Sequence, residues 1–162
     1  MRVDLFRCRQ GGSGLRSANF VTAAGRVRRV NKKILAADVP ELDARLVNLL
    51  PGDELYFVRT VDEAIRALER DDFDLLVISV HFDDSRMFDL LRQVRIEGRN
   101  KGIPVVCVRE PGLGFTAVST NTLEVTCRAL DANAFVDLAS LKDEEERNAA
   151  LRGAIEDLIK GG

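Results

Sequence analysis

The chain has 162 residues and a mass of 18.0 kDa, which suits one domain with a short extension. A hydrophobic fraction of 46% is enough to fill a core, yet no apolar run approaches the ~20 residues of a membrane-spanning helix, so no span is expected. The net charge of -2 hides an asymmetry: residues 1–33 hold seven Arg and two Lys against Asp4 alone, and the remainder holds 15 basic and 25 acidic side chains. A basic head of this kind suits nucleic acid, anionic lipid or the acidic body itself.

Residues 1–31 contain Gly11-Gly12-Ser13-Gly14 and no sustained periodicity, and they read as a basic, disordered segment. An organelle transit peptide also fits the Arg-rich, acid-poor composition, as does a start codon placed too far upstream. The domain is expected over residues 32–162. Cys8, Cys107 and Cys127 show no metal-ligand spacing, and the last two read as small apolar core residues in a reducing compartment.

From Lys33 onward strands and helices alternate. Lys33 to Ala37 is the first strand. Asp38 and Pro40 then occupy favourable cap and first-turn positions of a helix whose inner side carries Leu42, Leu46, Leu49 and Leu50. After Pro51-Gly52, Glu54 to Val58 is the second strand. Thr60 to Glu63 reads as a capping box opening a helix that buries Ala64, Ile65 and Leu68. The run from Phe73 to Val80 is apolar enough for a strand covered on both faces. Asp83, Asp84 or Ser85 then caps a helix with Met87, Leu90, Leu91 and Val94 inward, closed by Gly98 and Gly102. Ile103 to Val108 forms the fourth strand. A loop over residues 110–119 precedes a helix with Leu123, Cys127 and Leu130 inward. Ala134 to Leu138 is the fifth strand, and Ser140 and Asp143 begin a last helix with Leu151, Ile155, Leu158 and Ile159 inward. Five such units predict an α/β, flavodoxin-like, doubly wound (βα)5 sandwich with a parallel sheet of order 2-1-3-4-5.

The stretch Asp74-Leu75-Leu76-Val77-Ile78-Ser79, followed by Leu90-Leu91-Arg92-Gln93-Val94 and Ile103-Pro104-Val105-Val106-Cys107-Val108, resembles the third strand, third helix and fourth strand of response-regulator receiver (CheY-like) domains. The resemblance extends, less closely, from about Lys33 to Ile159. It implies a bacterial, cytoplasmic module of two-component, phosphorelay signal transduction. It also implies a site at the carboxyl edge of the sheet: an acidic pair after the first strand, a phosphoacceptor Asp after the third, a Ser or Thr after the fourth and a Lys after the fifth. Such chemistry needs a carboxylate nucleophile and a divalent cation among crowded oxygens.

In this chain those positions have changed. Asp38 keeps the first acid, but Val39 stands in place of its partner. The acceptor position falls on Ser79 in ungapped register, or on Val80 if the Val77-Ile78-Ser79 triplet anchors it. Arg109 replaces the hydroxyl residue. Leu138 replaces the lysine, and a one-residue shift gives Asp137. The chain therefore resembles a degenerate pseudo-receiver, with no catalytic residues, no metal ligands and no cofactor expected, Mg²⁺ included.

Around this position lie further candidates. Asp83 and Asp84 could rebuild a metal site with Asp38, but capping is the simpler role. His81, the sole histidine, has no Ser, Cys or acidic partner at a recognised spacing, and Ser79 lacks a nucleophile-elbow context. The turn Gly112-Leu113-Gly114 is a weak phosphate-loop signal. Arg109 at the sheet edge needs an acid, and Asp38, Asp137 and Glu110 are the candidates. The run Asp143 to Glu146 reads as a solvated helix start.

The expected function is a non-enzymatic, stand-alone signalling module acting by phosphorylation-independent protein–protein interaction. By analogy with receivers, residues Asn121 to Lys160 form the face to test for a protein partner. Nucleic acid is expected only through the basic N-terminal segment, and a homodimer stays open. The alternatives are a phosphorelay receiver with an atypical acceptor, and a small anion- or nucleotide-binding module using Arg109 and the Gly112–Gly114 loop.

Overall fold

The computed structural model describes residues 4–5, 31–98, 100–111 and 117–161. A six-stranded sheet forms the centre. Five strands are parallel: β2 (Lys33–Ala37), β3 (Glu54–Val58), β4 (Leu75–Ser79), β5 (Val105–Arg109) and β6 (Ala134–Asp137). Their order, β3-β2-β4-β5-β6, is the predicted 2-1-3-4-5 arrangement. The sixth strand, β1 (Asp4–Leu5), pairs antiparallel with β6, Asp4 opposite Phe135 and Leu5 opposite Ala134. The predicted basic segment otherwise lies outside the described residues, as does the Gly112–Gly114 turn.

Strand alternation sends side chains to two cores. Leu35, Leu76, Ile78, Val105, Cys107 and Phe135 face one side, under α2 (Val61–Arg70), α4 (Met87–Arg92) and α5 (Ala117–Ala129). Ile34, Ala36, Leu75, Val77, Val106 and Val108 face the other, under α1 (Pro40–Leu49) and α6 (Glu145–Gly161). All five residues of β4 are buried, which explains its unbroken apolar run. Cys107 and Cys127 are free and buried in the first core, where their mutual contact and burial push the Cys107 thiol up.

The helix starts depart from expectation in informative ways. Pro40 opens α1 at its first turn, but the cap position is Val39, because the Asp38 carboxylate is drawn to Arg59 instead. The capping box of α2 forms as read: Thr60 accepts from Glu63 N, and the Glu63 carboxylate accepts from Thr60 N. Asp83 does not cap its own helix. It lies in the short turn α3 (Phe82–Ser85) and accepts from Val61 N at 2.9 Å, so it serves the start of α2. The last helix begins at Glu145, later than Ser140, and Asp143 instead binds Arg45, Asn48 and Asn148. The fifth parallel strand ends at Asp137, leaving Leu138 buried just beyond it.

A π-helical turn, Gln93–Glu97, extends α4. Arg95 projects from it and donates to three carbonyls, those of Asp131, Lys101 and Ile103, and to Asn133 Oδ1, each at 2.8–2.9 Å. Asn133 in turn accepts from Val105 N at 2.8 Å, so one guanidinium ties the helix to the starts of β5 and β6.

Candidate functional site

The carboxyl ends of β2, β4, β5 and β6 bring Asp38, Ser79, Arg109 and Asp137 to one edge of the sheet, where strand order reverses. Parallel register sets the first pairing. Ala37 lies opposite Val58, so the residues that follow, Asp38 and Arg59, leave the sheet side by side. Arg59 Nη1 binds Asp38 Oδ1 and also donates to the Asp38 carbonyl, while Nη2 donates to Asp43 Oδ2 at 2.6 Å. One guanidinium thus sits between two carboxylates. The outer oxygens, Asp38 Oδ2 and Asp43 Oδ1, are buried without a hydrogen-bond partner among the described residues.

The electrostatics follow from that geometry. Asp38 is 1% exposed, and burial pushes its pKa up. The Arg59 charge opposes the shift, the neighbouring Asp43 adds to it, and the net value is about 7. Sequence reasoning missed both Arg59 and Asp43. The signal was available once strand order was fixed, because the residue after the second strand must lie beside the residue after the first.

The second pairing is Arg109 with Asp137, which are opposite each other in the β5–β6 register. Nε and Nη2 of Arg109 each donate to a different oxygen of Asp137 at 2.7 Å, a bidentate fork. Burial alone would raise the Asp137 pKa, but the Arg109 hydrogen bonds and charge, helped by Ser140, hold it below the usual range. Of the three acids considered for Arg109, Asp137 is the one in contact.

Glu110 turns elsewhere. Its carboxylate, 3% exposed, meets His81 Nδ1 at 2.5 Å and accepts from His81 N at 3.2 Å. His81 therefore has the acidic partner that its sequence neighbourhood did not reveal, supplied by the adjacent strand end. Glu110 Oε2 and the Ser79 hydroxyl, wholly buried, lack hydrogen-bond partners among the described residues. Val39 packs on the second core, and Leu138 is part of it. Asp83 pairs with Arg86 at 3.1 Å, whereas Asp84 is exposed. Neither is drawn to Asp38.

A divalent ion of the Mg²⁺ kind needs several oxygens in a fixed octahedron. Asp38 offers one free oxygen, Val39 none, and the Arg59 cation already lies against the carboxylate. Among the described residues no group of three or more His, Cys, Asp or Glu is disposed to hold a metal. The donor set does not fit the ion.

No family model matches the sequence, and no curated protein matches it. Solved structures do. The receiver domain of a signal transduction histidine kinase from Syntrophus aciditrophicus matches with a TM-score of 0.59 and 23% identity, over 80% of this chain and 91% of its own. A CheY-like response regulator receiver domain protein from Methanospirillum hungatei JF-1 matches with a TM-score of 0.60 and 18% identity, over 82% and 99%. The receiver domain of a sensor histidine kinase from Pseudomonas aeruginosa PAO1, whose structure holds a magnesium ion in its active-site cleft, matches with a TM-score of 0.60 and 19% identity, over 80% and 98%. Among the described residues no helix is long and apolar enough to cross a membrane. With the strand order and the two cores, these likenesses establish that the chain has the CheY-like receiver fold.

Proposed function

We propose that the chain is a pseudo-receiver: a signalling module on the receiver scaffold that binds a partner protein without phosphorylation, metal or catalysis of its own. The observation that carries this reading is the pair of internal ion clusters at the sheet edge. Arg59 supplies a fixed cation against Asp38, where a receiver would need a metal, and Arg109 is engaged by both oxygens of Asp137. Ser79 offers a hydroxyl in place of a carboxylate, so an acyl phosphate cannot form there. The partner face we assign spans Asn121 to Lys160, on α5, β6 and α6.

Incubation with acetyl phosphate and Mg²⁺, read by intact mass, tests the reading. The unmodified mass is expected throughout; a stable phosphoryl adduct would refute phosphorylation-independent action.

A further inference from the structure

The sheet treats its two edges differently. The β6 edge carries β1, whereas no strand among the described residues lies on the outer edge of β3. Glu54 N donates inward, to Lys32 O at 2.8 Å, and alternate residues of a parallel strand turn their main-chain groups to opposite sides. Leu55 and Phe57 therefore direct their N–H and C=O groups to the open edge. The same two residues, half-buried, join Val47 and Leu50 in lining a groove of about 790 Å³ between α1, β3 and the start of α6.

Among the described residues the charged groups on this groove are Asp53, Asp143 and Glu145, and no Lys, Arg or His lines it. The Asn148 amide is the main influence holding Asp143 below the usual carboxylate range, so it is ionised at neutrality. Arg45 and Arg152 pair with Asp143 and Glu145. Asp53, which accepts from Lys32 N, forms no ion pair with a described cation, so the β3 end of the rim keeps its negative charge.

We propose that this groove binds an extended, basic polypeptide segment of a partner protein. The open edge selects an extended backbone, which adds a strand beside β3. The apolar floor selects an aliphatic anchor, and the acidic rim selects Arg or Lys on either side of it. Asp143, Glu145 and Asn148 belong both to this groove and to the Asn121–Lys160 face, but the open edge of β3 lies outside that face, and the inference rests on the β3 edge rather than on the proposed function.

The test is fluorescence anisotropy with the full chain and a labelled peptide of alternating Val and Arg, against a control with Glu in place of Arg. Saturable binding of the basic peptide is expected, weakening as salt is added. Val47→Arg, at a half-exposed position, should weaken it by about tenfold through like charge. Asp53→Asn keeps the acceptor for Lys32 N and should weaken it less. Absence of saturable binding, equal binding of the acidic peptide, or binding unchanged in Val47→Arg would overturn the proposal. So would self-association that Val47→Arg abolishes, because the groove would then belong to a second copy of the chain.

Discussion

At Asp38, burial and Arg59 pull the carboxyl group in opposite directions, and burial wins. Its pKa of about 7 in the folded chain lies above the ordinary 3.8, so between those values the folded state holds a proton that the unfolded state has released. Stability from this group is therefore full below pH ~4 and is lost as the pH rises through ~7. Asp137 behaves in the opposite sense: its pKa is depressed, so its contribution is present above the unfolded value and is lost in acid. Thermal denaturation of Asp38→Asn between pH 5 and 8 should show a flatter pH dependence than the wild type, and an unchanged slope would assign the titration elsewhere. Arg109→Ala strands a carboxylate that is 25% exposed and should cost about 2–4 kcal/mol in urea denaturation. A loss below ~0.5 kcal/mol would show that the fork is a weak surface pair. The Arg109–Asp137 pair was legible only as one of several options, because a guanidinium at the sheet edge needs an acid but its sequence position does not say which, and the β5–β6 register selects Asp137. The Arg59 bridge was not legible, because a sequence scan for receiver groups looks at the strand ends that carry chemistry in the family and passes over the edge strand.

Among the elements, the turn after β4 is the most constrained. Asp83, Asp84 and Ser85 all have positive φ, at 46°, 55° and 68°. A left-handed turn of non-glycine residues costs roughly 1–2 kcal/mol each. Asp83 repays part of that by capping α2 through Val61 N and pairing with Arg86. Asp84 is exposed and can be relieved: Asp84→Gly should raise stability by about 0.5–1 kcal/mol, measured by urea denaturation. A decrease would show that the Asp84 side chain has a role the strain argument omits. Acidic residues before a helical stripe read naturally as its own cap, and the left-handed turn that redirects Asp83 to another helix leaves no local signature. The capping box of α2, wholly local in sequence, was legible down to the hydrogen bonds. Arg95 lay outside reach for the opposite reason: its partners include three main-chain carbonyls and the Asn133 side chain, up to 38 residues away.

For the molecule as a whole, hydrophobic periodicity was sufficient to place the parallel strands and their helices, because β4 and β5 bury both faces while the helices bury one, and the strand order came from the doubly wound arrangement that five such units suggest. The added antiparallel strand was not anticipated, since Asp4-Leu5 is too short to show alternation. The architecture places Arg59, held between Asp38 and Asp43, and the Arg109–Asp137 fork where a phosphate-operated switch would have its metal and phosphoryl group. Backbone amide spectra recorded during titration with beryllofluoride and Mg²⁺ probe that claim directly. The amides of Asp38, Ser79 and Arg109 are expected to hold their positions throughout. Saturable shifts centred on those three residues would contradict it, because the edge would then still receive a phosphoryl mimic and its metal.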